Sequence, residues 1–143
     1  MDERVLALDI GDKRIGIAVS DENRKIARPL TTIERIGYKP DSSHIQSICN
    51  TYQTTNIIAG LPINMDGTHG EQALKILAFG NILAETGLRV IYHDERLSTV
   101  EALSILHENK ASRAGSKGRI DAVSAAVILQ RWLDMQANIK NKG

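Results

Sequence analysis

The sequence is 143 residues long, with 42% hydrophobic, 24% charged and 3% aromatic residues and a formal net charge of +1 at pH 7. That length suits one domain able to bury roughly 68% of the surface its unfolded chain exposes, and with so few aromatics Ile, Leu, Val and Ala must fill the core. The single cysteine, Cys49, excludes an internal disulfide and fits a reducing compartment, and no apolar stretch approaches the ~20 residues needed to span a bilayer.

The chain opens Met-Asp-Glu-Arg and runs directly into an apolar stretch, without the charged and then apolar segments of an export signal, so a cytoplasmic protein with no membrane contact is expected. Residues 5–10 (Val-Leu-Ala-Leu-Asp-Ile) read as a buried strand broken by Gly11, with Asp9 the misfit in it. Residues 15–20 follow so closely that only an antiparallel hairpin can join the two. Residues 21–25 are polar turn material, and residues 29–33 form a short β-branched strand whose leading Pro29 suits the start of an edge strand. These three strands make a meander.

After the break at 37–40, Asp41 or Ser42 can cap a helix whose apolar positions Ile45, Ile48, Cys49 and Tyr52 follow the i, i+3, i+4, i+7 spacing. Residues 56–60 read as a strand, 61–67 as a loop, 70–86 as an apolar-faced helix stopped by Gly87, and 89–93 as a strand. Crossovers of this length require parallel pairing. Ser98 or Thr99 can cap a helix to about Asn109. Residues 110–119 read as a loop that gathers Lys110, Arg113, Lys117 and Arg119 with no acid among them, and Asp121 opens a final apolar helix to about Met135.

The expected class is therefore α/β: a mixed five-stranded sheet, built as a three-strand meander followed by two parallel α/β units and flanked by helices. One domain over residues 1–137, with a basic tail at 138–143, accounts for the chain. If the first strand is central with the fourth parallel beside it, a ligand should sit at their carboxyl ends, where Asp9 and the Asp94-Glu95 pair lie.

An ionised, unpaired Asp9 inside an apolar strand would cost several kcal/mol. It must pair with a cation, accept good hydrogen bonds or take up a proton; the cation can be a metal ion, or Lys13 or Arg14 in the following turn can neutralise it. Of Asp94 and Glu95, successive residues at a strand end, only one should face the crevice, since side chains alternate. Asp121 either stabilises the first turn of its helix or is carried into the same crevice. Three converging carboxylates suit Mg²⁺ or Mn²⁺, two of which can stabilise the attacking and leaving oxygens of a phosphodiester displacement. His44, His69, His93 and His107 have no zinc-site spacing, and Cys49 has no evident base.

Four stretches together resemble one family: residues 7–21 (Ala-Leu-Asp-Ile-Gly-Asp-Lys-Arg-Ile-Gly-Ile-Ala-Val-Ser-Asp), 60–67 (Gly-Leu-Pro-Ile-Asn-Met-Asp-Gly), 94–99 (Asp-Glu-Arg-Leu-Ser-Thr) and 121–130 (Asp-Ala-Val-Ser-Ala-Ala-Val-Ile-Leu-Gln). They are similar to the YqgF-type proteins of bacteria, described both as pre-16S rRNA nucleases and as Holliday-junction resolvases, within the RNase H-like superfamily. The resemblance implies an RNase H-like fold and a site made of Asp9, Glu95 and Asp121, with Asp94 as the alternative to Glu95. Ser98 stands where the family usually has Thr, which keeps the hydroxyl. The segment 60–67 would shape the substrate site, and Lys13, Arg14, Arg96, Lys110, Arg113, Lys117 and Arg119 would supply phosphate contacts, which position a nucleic acid without reading its sequence.

The expected function is a metal-dependent nuclease that trims the 5′ end of precursor 16S rRNA, acting on structured RNA as a monomer or homodimer. The alternatives are a Holliday-junction resolvase acting on branched DNA, which would require a dimer, and a non-catalytic RNA-binding assembly factor. Asp-Ile-Gly also resembles the phosphate loop of actin-like ATPases, but those clamp a nucleotide between two such domains and this chain has one, so no ATP binding is expected.

Overall fold

Alternation along the first strand sets the two layers of the molecule. A computed structural model describes residues 4–95 and 117–142, with side chains described over 4–95 and 120–139. Strand β1 (Leu6–Ile10) pairs antiparallel with β2 (Arg14–Ser20) and parallel with β4 (Asn56–Leu61). With the edge strand β3 (Ala27–Glu34) and the parallel β5 (Arg89–Asp94), the sheet order is β3-β2-β1-β4-β5. This is the expected mixed sheet, with β1 central.

Leu6, Leu8 and Ile10 of β1, with Ile15, Ile17 and Val19 of β2, face a layer made by helices α1 (Tyr38–Thr51) and α2 (Glu71–Glu85), where Ile45, Ile76, Phe79 and Leu83 complete the larger core. The alternate residues Val5, Ala7, Ala18 and Ile58 face the other way, against Ala125, Ala126, Ile128, Leu129 and Leu133 of helix α3 (Lys117–Lys142). Asp9 shares the α3 face with Val5 and Ala7. Packing on both faces is largely aliphatic, with Phe79 the one fully buried aromatic among the described residues, which explains why so few aromatics suffice.

Several boundaries differ from expectation for local reasons. Strand β3 starts at Ala27, and Pro29 lies within it, opposite Ala18, where the register to β2 shifts. An edge strand with a bulge tolerates the missing N–H there. Helix α1 starts at Tyr38 with Gly37 as its N-cap, which takes Pro40 into the first turn; the buried Asp41 instead reaches back to accept from the Ile36 N–H at 3.0 Å and Arg35 Nε at 3.3 Å. Gly87 (φ +97°) follows α2 in the left-handed conformation that ends helices.

Helix α3 begins at Lys117, so Lys117 to Arg119 are helical rather than loop, and it continues to Lys142 rather than stopping near Met135. The remainder of the expected basic loop, the helix expected at 98–109, and Arg96, Lys110 and Arg113 lie outside the described residues. Among the described residues no helix is long and apolar enough to cross a membrane.

Candidate active site

The carboxyl end of β1 is floored by glycine on both sides. Asp9 pairs with Gly16 of β2, and one step beyond the Leu8–Ala59 pair lies Gly60 of β4. A β-carbon on Gly16 would stand 1.9 Å from the backbone oxygen of Asp121, so only glycine lets the α3 backbone come down onto the sheet here. A β-carbon on Gly60 would meet Ile128 Cδ1 at 2.7 Å and Glu95 Oε1 at 3.1 Å. One glycine thus seats Asp121 over β2, and the other leaves room for Glu95 to lie across β4 toward Asp9. Gly60 lies in the strand as expected, and the strand runs one residue further, to Leu61.

The three expected acids are placed unequally. Burial, with the charge of Asp121 second, raises the Asp9 carboxyl to about 6, against a hydrogen bond from Ser124 that favours its ionised form. The Ser124 hydroxyl also lies 3.0 Å from the Ile120 carbonyl, and having one proton it can donate to only one of the two at a time. Glu95 is raised to about 7, by burial first and then by the charges of Asp9 and Asp94. Both carboxyls are thus partly desolvated, with Asp121 opposing the ionisation of Asp9, and Asp9 and Asp94 opposing that of Glu95.

Asp121 accepts a hydrogen bond from Arg14 Nε at 2.8 Å, both side chains being about 30% exposed. Arg14 thus pairs with Asp121, not with Asp9. In this arrangement, no group of three or more His, Cys, Asp and Glu side chains is set to hold a metal ion among the described residues. Glu95 lies over Gly60 within reach of the Asp9 charge, while Asp121 is turned to a guanidinium.

Strand alternation separates the two candidates at the end of β5. Val90 and Tyr92 pack with the α1/α2 core and Ile91 with the α3 core, which puts Asp94 on the former side and His93 on the latter. Glu95, in the turn after the strand, is the acid that reaches Gly60. Asp94 acts on the site through its charge. His93, paired with Gly60, is buried and its Nε2 has no hydrogen-bond partner among the described residues; burial and then the Arg131 charge lower its pKa, against the charge of Asp94.

Lys13 is exposed in the β1–β2 turn, on the edge that carries Asp9. Lys117 and Arg119 lie on the first turn of α3, and their side chains are outside the description. Sequence reasoning missed Gly16, Gly60 and Ser124. Ser124 had a signal, as the only polar residue between Asp121 and Gln130 and three residues from Asp121 on one helix face. The glycines had none without knowledge of what packs against them.

A central strand carrying an acid, flanked on one side by an antiparallel meander and on the other by parallel units, defines an RNase H-like architecture of the resolvase and nuclease type. Solved structures agree in fold: Thermus thermophilus RuvC in complex with a Holliday junction substrate (12% identity, 95% of this chain and 96% of that one, TM-score 0.59) and the large terminase nuclease of the thermophilic phage G20c (13%, 91% and 82%, TM-score 0.58). The chain belongs to the RuvX family, described as "Holliday junction resolvase", which it matches over residues 3–135. It is 47% identical to a protein of Thermoanaerobacter pseudethanolicus over 94% of this chain and 99% of that protein, and 44% identical to one of Clostridioides difficile over 96% and 99%. Both relatives are named "Putative pre-16S rRNA nuclease".

Proposed function

We propose that this member of a nuclease family is a divalent-metal-dependent phosphodiester hydrolase that processes the 5′ end of precursor 16S rRNA, with Asp9, Glu95 and Asp121 as its catalytic acids. The observation that carries the reading is the crowding of carboxylates at this edge: Asp121 opposes the ionisation of Asp9, and Asp9 with Asp94 opposes that of Glu95, which lies over Gly60. Two carboxylates held together in a poorly solvated space are short of positive charge, and a hard cation supplies it. All donors at the site are carboxylate or hydroxyl oxygens, which suit Mg²⁺ or Mn²⁺ rather than softer metals.

Asp9 and Glu95 would hold the ions, and Asp121 would join them once Arg14 turns from it to a substrate phosphate. When bound, two such ions neutralise the phosphodiester and stabilise the attacking and leaving oxygens. The chain's own contribution is positioning. Gly16 and Gly60 set the room around the acids, the Ser124 hydroxyl favours the ionised form of Asp9, and Arg14 and Lys13 meet phosphate oxygens. Lys117, Arg119, Arg96, Lys110 and Arg113 would extend that basic edge along the nucleic acid. The names of the relatives supply the RNA substrate.

The family description favours a second reading, cleavage of a four-way DNA junction. A panel of precursor 16S rRNA, junction DNA and single strands, each with and without Mn²⁺, separates the two. Metal-dependent trimming of the precursor RNA at low protein concentration is expected; symmetrical cutting of the junction alone would favour the resolvase, and RNA binding without cleavage would overturn both.

A further inference from the structure

The far end of α3 carries a second feature that the catalytic acids do not use. Two adjoining grooves, of about 230 and 350 Å³, meet at Trp132. Their shared lining is Arg24, Trp132 and Gln136, with Lys25 on one side and Asn56 and Arg89 on the other. Three cations, an aromatic face and three amides, Asn23 being the third, surround this space, and among the described residues no acid lines it.

The wall is built, not incidental. Gln130 accepts from the Ala27 N–H at 2.8 Å and donates to the Lys25 carbonyl at 2.9 Å and to Asp134 Oδ1 at 3.0 Å, which ties the β2–β3 turn to α3. Asp21 Oδ1 accepts from the Lys25 and Ile26 N–H groups at 2.7 and 3.1 Å, closing that turn with Arg24 at φ +56°. A non-glycine residue in the left-handed region persists where such contacts over-determine it. Trp132, like Ala27 and Ile91, packs against the α3-side core, and it remains partly exposed where it lines the grooves.

We propose that this groove is a second nucleic-acid contact, which holds a single-stranded stretch of substrate with a base stacked on Trp132 and flanking phosphates on Lys25, Arg89 and Arg24. The inference rests on the reading of the chain as a nuclease. A stacking platform beside a row of cations is how proteins grip single strands without reading sequence. The amides of Asn56 and Gln136 add donors and acceptors for a base edge. Trp132 is eleven residues beyond Asp121 on one helix, about 16 Å along its axis, so one strand a few nucleotides long can reach both.

Trp132 is the sole tryptophan of the chain, so its emission reports on this groove alone. Full-length Asp9→Asn protein is titrated with a fluorescein-labelled single-stranded RNA of about twelve nucleotides, within the usual site size for such grooves, and anisotropy and tryptophan emission are read together. Saturable quenching that tracks the anisotropy is expected. The Lys25→Glu/Arg89→Glu variant, altered only at exposed positions, should bind about tenfold more weakly and show a salt dependence shallower by about two. Binding with unchanged Trp132 emission, or undiminished binding by the double variant, would overturn the groove while leaving the nuclease reading standing. No anisotropy change at all would overturn both.

Discussion

Gly60 and Glu95 are in contact across β4: a β-carbon on Gly60 would stand 3.1 Å from Glu95 Oε1. The prediction is that Gly60→Ala folds but is catalytically poor. The other neighbour, Ile128 Cδ1, is the end of a flexible side chain and can yield, whereas Glu95 must shift by a few tenths of an ångström in a site that depends on its placement. Displacements of that kind cost about 10- to 100-fold in rate. A thermal melt close to wild type with a rate lowered to that extent is the expected pair of results.

Gly16→Ala should fail differently. Its β-carbon would lie 1.9 Å from the Asp121 backbone oxygen, which cannot rotate away, so α3 must lift from the sheet. Overpacking of this kind costs about 1–3 kcal/mol, and more where backbone must move. Denaturant midpoints should fall by the upper end of that range or beyond, with activity lost in parallel. An unchanged midpoint would mean that α3 does not pack on Gly16 as described.

The acid pair makes stability depend on pH in a definite direction. Folding raises Asp9 from 3.8 to about 6 and Glu95 from 4.5 to about 7. The folded state therefore holds protons that the unfolded state releases, and these groups lower stability as pH rises from about 4 to about 7. In chelator, Asp9→Asn should be more stable than wild type at pH 8, on the order of 2 kcal/mol, with the difference vanishing below pH 4. Adding Mn²⁺ at pH 8 should restore wild type and have little effect on the variant. Equal melting of the two proteins in chelator at pH 8 would refute the crowding of acids at this site.

Arg14 occupies the oxygen of Asp121 that a cation would use. The pair is about 30% exposed on each side and adds little to stability, about 1 kcal/mol at most. Its removal should matter more for ligands. Arg14→Gln should bind Mn²⁺ about fivefold more tightly without nucleic acid, because a competing positive charge is gone, yet cleave more slowly because a phosphate contact is lost. Calorimetry and a single-turnover assay measure the two effects, and weaker Mn²⁺ binding by the variant would show that Arg14 helps to form the site.

How much of this was legible in the sequence depends on the kind of information each residue carries. Asp9 stood out because a carboxylate in an apolar strand needs a partner, and the strand's alternation puts it under α3. The choice between Asp94 and Glu95 stayed open because both end the same strand; the clearance above Gly60, a tertiary feature, distinguishes them. Asp121 was expected at a helix start because the basic stretch before it reads as a loop, but α3 already includes Lys117, which places Asp121 one turn inside. The helix extends past Met135 because Gln, Ala and Lys sustain it after the apolar stripe ends. Crossover lengths gave the parallel pairing of the later strands, whereas the central place of the first strand entered as a condition that the sheet order meets.

The central claim is that Asp9 and Glu95 act together through a divalent cation to cut a phosphodiester. Its most direct test is the single-turnover rate on precursor 16S rRNA with Mn²⁺ for wild type, Asp9→Asn and the Asp9→Asn/Glu95→Gln double variant. The account predicts a loss of at least about a thousandfold in the single variant, little further loss in the double, since residues that act as a unit are not additive, and no cleavage by wild type in chelator. Cleavage by either variant at the wild-type rate, or by wild type in chelator, would contradict it.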